Sequence, residues 1–420
     1  MVRKASRNVS RYTMTHKSHQ YKSSRRPERT IMTRSQRVTS CSFFHRLPAE
    51  VFHMVLDKLS LLEISVLSMV SKEITRHIVD YISTLSWKNK MIVQAFHHST
   101  FQERRSTIGH YRNLGLLFKR STLLLPTKDR LKFIFSRFSQ CLIPDCIGFS
   151  SYGVFLQTLI AGWDELECQR VFNFLCDITN LLQKMEAMSG SENTFELRTT
   201  TGTLRVFCRQ VLLDPWSNQP ECRFWLMQLL KPWPVVSKAH LLFILYGPLL
   251  PDGQPHSALW DLARAILLLF GKLTVKGWST ESLLSMLDEL IGIPQPWHVE
   301  NVARLLVLCG SSLCYTVLAS KALNGQLPES SRLIVYIILV CEKDGYHMKW
   351  AVNLVQQICK VFSTAPERLC FIRQVENMFS EITREFYEFS VADRETFQTF
   401  CILLDSSARF HTKLLHMFLK

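Results

Sequence analysis

Apolar residues recur at helical spacing through most of the chain between residues 89 and 420. In one window Phe155, Leu159, Trp163 and Leu166 follow at i, i+4, i+8 and i+11, and a second such window spans 171–182. This spacing places apolar side chains along one face of a helix. The alternation of apolar and polar residues that marks a strand is scarce. The pattern predicts an all-α chain.

Clusters of Pro and Gly divide this region into helices of ordinary length. Their spacing is irregular, and no leucine-rich, Kelch or WD repeat is visible. Helices of moderate length bury their apolar faces by stacking into one long core. We therefore expect an α-solenoid-like domain over residues 89–420, and a split into two lobes near 190–235 stays open. The breaks lie at Ser189–Ser191, Asp214–Trp216, Lys231–Pro234, Gly247–Pro255 and Pro294–Trp297.

The segment Phe44–Tyr81 predicts three short helices. Pro48 suits the first turn of a helix, and Ser60 and Ser71 are candidate caps for the second and third helices. Three helices in about forty residues are too small to bury a core alone, so they should pack on a partner or on the following domain. Their apolar residues are Val51, Val55, Leu56 and Leu59, then Ile64, Leu67 and Val70, then Ile74, Ile78 and Ile82.

The order of residues in this segment resembles the F-box family, from Leu47-Pro48 to Val70-Ser71-Lys72. Where that family often has Trp after the Val-Ser-Lys step, this chain has Ile74. The resemblance implies an F-box over residues 43–88 that binds the Skp-family adaptor of cullin–RING ubiquitin ligases. The alternative is an ordinary helical hairpin in a larger α-domain. By resemblance, the partner-binding residues are Leu47, Pro48, Glu50, Val51, Val55, Leu56, Leu59, Ile64, Leu67, Val70 and Ser71.

The resemblance extends beyond this segment, to F-box proteins that lack Kelch, leucine-rich and WD repeats. It implies a non-catalytic substrate-receptor subunit of an SCF-type ligase, whose helical domain holds an unknown protein target, in germline or meiotic chromosome biology. A non-degradative scaffold that binds or stabilises chromosomal proteins is the alternative. The similar strings are His110–Arg120, Leu123–Pro126, Ala161–Cys168, Leu230–Pro234, Ala303–Leu306 and Val340–Lys343.

Residues 1–42 differ in composition from the rest. The first 40 residues contain eleven Lys or Arg and one acidic residue, Glu28. This stretch therefore carries +10 of the net charge of +15. A segment this basic and polar buries too little apolar surface to offset the entropy cost of ordering. We therefore expect a disordered arm. Such an arm could attract nucleic acid or an import receptor through long-range charge. A solvated tail without a dedicated partner is an equal alternative.

The cysteine pattern and the hydropathy predict a location in the nucleus and/or the cytoplasm. Thirteen cysteines, an odd number without framework spacing, suit a reducing compartment. The N-terminal stretch has no apolar segment of the kind a secretory signal needs, and no run reaches the roughly eighteen apolar residues of a membrane helix. We therefore expect a protein that is neither secreted nor bound to a membrane.

The sequence predicts no catalytic, cofactor or metal site. It contains no phosphate-binding loop, dinucleotide turn or metalloprotease motif. The pairs Cys141/Cys146 and Cys309/Cys314 lack the second pair that a zinc site needs. Two features have open alternatives. The acidic cluster Asp164, Glu165 and Glu167 either begins a helix, where the dipole favours acids, or forms a catalytic pair. The tryptophans beside chain breaks either fix loops to the core or mark a target-binding surface; they are Trp216, Trp225, Trp233 and Trp297.

Overall fold

The computed structural model describes residues 47–89, 91, 101–138, 148–189, 195–217, 221–247, 255–271, 279–390 and 394–418. All regular elements within these ranges are helical, and none of them is a β-strand. The predicted all-α class is confirmed. The arm expected at 1–42 lies outside the described ranges.

Backbone contacts divide the chain after Val55 into two compact units. In the first unit, residues 47–55 contain most of helix α1, Ala49–Leu56. The helix begins directly after Pro48, whose carbonyl accepts the N–H of Phe52 at 3.1 Å. Pro48 therefore lies one residue before the first turn in which it was predicted, because its carbonyl is the first acceptor of the helix. The predicted domain boundaries after residues 42 and 88 stay predictions.

The second unit begins with three short helices, which are α2 (Leu61–Leu67), α3 (Lys72–Ile82) and α4 (Leu85–Lys88). Both predicted caps are confirmed, because Ser60 Oγ accepts the N–H of Glu63 and Ser71 Oγ accepts the N–H of Ile74. The apolar face of α3, Ile74, Ile78 and Ile82, is buried. It supplies the core side of this segment.

The remaining helices of the second unit follow in chain order. They are α5 (Phe101–Ser121), α6 (Thr127–Phe138), α7 (Phe149–Ile160), α8 (Glu165–Thr179), α9 (Leu181–Ser189), α10 (Phe195–Phe207), α11 (Glu221–Leu230), α12 (Val235–Tyr246), α13 (Pro255–Phe270), α14 (Thr280–Leu290), α15 (Val299–Leu308), α16 (Gly310–Leu323), α17 (Leu327–Lys343), α18 (Met348–Cys359), α19 (Ala365–Ser390) and α20 (Arg394–Phe418). A π-helical turn, Cys208–Leu213, and a 3₁₀ turn, Asp214–Trp216, follow α10.

The C-terminal helices stack in the manner of a solenoid. Helix α12 packs on α14, α13 on α15, α15 on α17, and α17 on α19. Each of these four pairs joins helices two places apart in the chain, which is how successive helix pairs build a continuous core. Helix α17 lies in the centre of this core and is buried from Leu333 to Cys341.

A close backbone contact joins α7 to the π-helical turn. A Cβ atom on Gly153 would lie 2.1 Å from the carbonyl oxygen of Gln210 and 2.9 Å from Cγ of Pro215. Glycine is required here because any side chain would displace the neighbouring backbone. The turn is held in place by Arg209, which donates to Asp214 at 2.8 Å and to Asp261 at 3.0 Å.

The structure decides the first of the two features that the sequence left open, and it shows how three of the four tryptophans are held. Asp164 is the N-cap of α8, with Oδ1 accepting the N–H of Glu167 at 2.7 Å, so the acidic cluster begins a helix. Trp216 and Trp225 are buried, with ring centroids 5.2 Å apart. Trp297 is half-buried and donates its indole N–H to the carbonyl of Ile293 at 2.8 Å. These tryptophans fix loops and helices to the core.

Candidate functional site

Helix α1 carries an exposed apolar face, the α1 patch, formed by Val51, Met54 and Val55. Their exposed fractions are 41%, 67% and 43%. The spacing i, i+3, i+4 places the three side chains on one side of the helix. Phe52, on another side, is buried. A solvent-facing helix surface is normally polar, so the α1 patch is a candidate contact surface.

A second exposed apolar surface, the α2 patch, lies in the second unit and consists of Leu62, Val66, Met69 and Val70. Their exposed fractions lie between 45% and 66%. Leu62 and Val66 are one helical turn apart on α2, and Met69 and Val70 lie in the turn that follows it. The α2 patch is therefore presented by a helix end and by the connection to α3.

Reciprocal hydrogen bonds fix the start of α2. The backbone N–H and the hydroxyl of Ser60 both donate to Glu63 Oε2 at 2.7 Å, while Ser60 Oγ accepts the N–H of Glu63. These bonds lower the pKa of Glu63 because they favour its charged form. This capping box orients the helix that carries Leu62 and Val66.

Buried polar contacts hold the end of α2 and the start of α3 together. The hydroxyl of Thr75 donates to the carbonyl of Ser68 at 2.6 Å and to that of Ser71 at 2.9 Å. Arg120, on α5, donates to Ser65 Oγ at 2.7 Å. The connection that carries Met69 and Val70 is therefore fixed on both sides, and α2 is joined to the following helices.

An aromatic chain extends this connection. The ring of Trp87 lies 6.5 Å from that of Tyr81 and 6.1 Å from that of Phe118, edge-on in both cases. Tyr81 donates its hydroxyl to Asp57 Oδ1 at 2.6 Å. Burial, together with that hydrogen bond, raises the pKa of Tyr81. Helices α3, α4 and α5 thus share one buried cluster.

The residues predicted to bind a partner fall into three groups in the structure. Pro48, Glu50, Val51, Val55 and Val70 are exposed, and Leu47, Leu59, Leu67 and Ser71 are half-buried. Leu56 and Ile64 have no exposed surface. In this structure Leu56 and Ile64 support helices from within the core. The role of all eleven residues in binding a partner stays a prediction. The sequence prediction omitted four exposed residues of the patches: Met54, Leu62, Val66 and Met69. Their helical spacing was the only signal available.

The metal-ligating groups and thiols of the described residues bear on two kinds of site, a metal site and a reactive cysteine. Among them, no group of three or more His, Cys, Asp or Glu side chains is placed to hold a metal ion. Burial raises the pKa of the Cys309 thiol to about 12 and that of Cys168 to about 11, which keeps both thiols in the unreactive protonated form. Cys141 and Cys146 lie outside the described ranges. No helix in the described part of the chain has the length and apolarity to cross a membrane.

Comparisons with known proteins identify the family. A family model described as "FBXO47, ARM repeats" matches residues 177–265 and 253–420. F-box only protein 47 of mouse is 44% identical to this chain, over 92% of each protein. F-box only protein 47 of human is 42% identical, over 93% of this chain and 92% of the human protein. No solved structure matches. Armadillo repeats are stacked helices, which agrees with the solenoid described above. The predicted membership of the F-box proteins is confirmed: this chain belongs to the F-box only protein 47 family.

Proposed function

We propose that this chain is the substrate-receptor subunit of an SCF-type cullin–RING ubiquitin ligase and binds a Skp-family adaptor through its F-box segment. The observation that carries the proposal is the concentration of exposed apolar side chains in residues 51–70. Seven large aliphatic or methionine side chains within these twenty residues are at least 41% exposed. Three of them form the α1 patch and four form the α2 patch. Single exposed apolar residues are normal, whereas clusters of this kind favour binding to another protein.

The proposed mechanism is positional, so the chain itself performs no covalent step. The adaptor links the F-box segment to the cullin, while the helical domain at 89–420 holds a target protein. Tethering raises the effective concentration of target lysines near the ubiquitin-charged enzyme. The contacts of Arg120 with Ser65 and of Trp87 with Phe118 support this mechanism, because a rigid connection preserves the distance over which the target is presented.

The place of action is part of the proposal. We infer a nuclear and/or cytoplasmic protein with a role in germline or meiotic chromosome biology, supported by resemblance to the family. The described cysteines are free thiols, which supports a reducing compartment. Nucleic acid or an import receptor remains the proposed partner of the basic arm at 1–42. If the arm binds nucleic acid, deleting residues 1–42 would remove a salt-dependent interaction between the chain and nucleic acid.

Co-purification of the adaptor and the cullin with the full chain tests the proposal. The test variant is Leu47→Ala/Pro48→Ala. The matched control is Leu123→Ala/Leu124→Ala, a pair that is 55% and 54% exposed in the turn after α5. We expect the intact chain and the control to retain both proteins and the test variant to lose them. Failure of the intact chain to retain the adaptor would refute the proposal. Adaptor binding without cullin-dependent turnover of any target would favour the scaffold alternative.

A further inference from the structure

A cavity of about 270 Å³ opens between helices α14, α15, α16 and α17. Its walls are mainly aliphatic and include Val302, Leu306, Val317 and Leu333, all less than 10% exposed. Trp297 also lines the cavity. A cavity of about 150 Å³ already admits benzene. The space is large enough for an aliphatic or aromatic side chain.

Charged groups line one side of the cavity. The ammonium of Lys321 donates to Asp288 Oδ1 at 3.0 Å and to Glu329 Oε1 at 2.8 Å. The Lys321 side chain is 9% exposed, whereas Asp288 and Glu329 are 57% and 47% exposed. Solvent therefore meets the two carboxylates, and the cation lies behind them.

Arg332 also lines the cavity, and its charge is matched by another carboxylate. It donates to Glu385 Oε2 at 2.9 Å, and both side chains are about one-third exposed. Among the lining groups, two carboxylates, Asp288 and Glu329, face the single cation Lys321, while Arg332 is balanced by Glu385, which does not line the cavity. The result is an apolar space with a net negative edge, which attracts a cationic group placed beside an apolar one.

We propose that this cavity binds the target protein, by accepting one large aliphatic or aromatic side chain that is flanked in the target's sequence by Lys or Arg. The apolar side chain fills the space next to Trp297, and the neighbouring cation lies at Asp288 and Glu329. Anchors of this kind, a buried apolar side chain with a charged neighbour at the rim, are typical of specific peptide recognition. The inference rests on the proposed receptor function and assigns its target-binding site.

Libraries of nine-residue fluorescent peptides provide the probe. One library has Phe, Leu or Trp at the centre with Arg on both sides, and the other positions are randomised. A second library replaces both Arg by Glu, and a third replaces the central residue by Ala. We expect the full chain to retain the first library at least fivefold better than either of the others. Equal retention of the three libraries would overturn the proposal.

Variants of the chain locate the binding. Val299→Trp places an indole at the half-buried start of α15, where Val299 lines the cavity, and should abolish retention of the first library. The matched control is Val236→Trp at a position 54% exposed on α12, which should retain it. Unchanged retention by Val299→Trp would refute the assignment.

Charge variants keep the test decisive if Val299→Trp fails to fold. Asp288→Asn and Glu329→Gln each leave Lys321 one carboxylate partner. Each should weaken retention of the Arg-flanked library about two- to fivefold, as expected for a partly exposed ion pair. The absence of any weakening would count against the proposal.

Adaptor binding, measured on the same samples, separates the cavity assignment from the receptor function. A chain that binds adaptor but shows no preference among the libraries refutes only the cavity assignment, whereas a chain that does not bind adaptor refutes the receptor function.

Discussion

Replacing Trp87 by Ala tests whether the end of the F-box segment belongs to the same core as the helices that follow. Trp87 is 2% exposed and contacts Tyr81 and Phe118 edge-on. A buried Trp removes about 200 Å² from water, which at about 25 cal/mol per Å² corresponds to about 5 kcal/mol. Alanine keeps part of that area, and a real unfolded chain already buries some of it. We therefore expect the free energy of unfolding to fall by about 3–5 kcal/mol.

Urea unfolding followed by circular dichroism measures this loss. The matched control is Leu85→Ala, on the same short helix but 74% exposed, which should change the unfolding free energy by less than about 0.5 kcal/mol. A loss of 3–5 kcal/mol is a large part of the total for a typical domain. If Trp87→Ala lost less than about 1 kcal/mol, α4 would not be joined to α5 through a shared core, and the argument for a rigid connection would fail.

Three further predictions concern individual contacts. Gly153→Ala should lower the unfolding free energy by about 1–3 kcal/mol because the added methyl group would clash with the π-helical turn. Its control is Gly202→Ala in α10, where the space around the glycine is open, and this change should raise the unfolding free energy by about 0.5–1 kcal/mol. Equal effects of the two changes in thermal unfolding would refute the close contact. Ser71→Ala should cost about 1 kcal/mol in urea unfolding because α3 loses its cap, and no loss would contradict the capping geometry. Lys321→Met should cost about 2 kcal/mol at pH 8. Burial lowers the pKa of Lys321. The hydrogen bonds and charges of its two carboxylate partners raise this pKa by more than burial lowers it, so the net shift is upward. The stabilisation is therefore complete below the ordinary lysine pKa of about 10.4 and is lost as the pH rises through the raised value. A difference between wild type and variant that grew above pH 10.5 would contradict this assignment.

Local signals in the sequence predicted the helices and their caps well. Ser60 and Ser71 each form the predicted cap hydrogen bond to the backbone N–H three residues on, because capping depends on residues that are close in sequence. Asp164 caps a helix in the same way, whereas the sequence had offered its cluster as a helix start on the basis of the dipole alone. The helical class followed from apolar spacing for the same reason. Stacking of helices was expected because no single helix here could bury its apolar face alone.

The surface of the F-box segment was harder to predict. Helical spacing shows which side chains share a face, but it cannot show which face the rest of the chain covers. Met54 and Leu62 are exposed while Leu56 and Ile64 are buried, although all four are large and apolar. Only the packing of the folded chain separates them.

Contacts between distant residues could not be predicted either. Gly153 meets Gln210, 57 positions later, and nothing in the local sequence of either residue indicates the contact. The cavity beside Trp297 is formed by four helices and depends on how they stack. The sequence drew attention to Trp297 only through its position beside a chain break.

The affinity of the full chain for purified Skp-family adaptor, measured by biolayer interferometry, tests the central claim most directly. The decisive variant is Val70→Asp, which places a charge in the α2 patch at a position already 66% exposed, and its control is Val236→Asp, at a position 54% exposed on α12. Both substitutions should leave folding unchanged because both sites face water. The account predicts that the intact chain and Val236→Asp bind equally and that Val70→Asp weakens binding at least tenfold, which corresponds to about 1.4 kcal/mol. Equal binding by all three proteins, or no binding by the intact chain, would contradict the claim that this surface holds the adaptor.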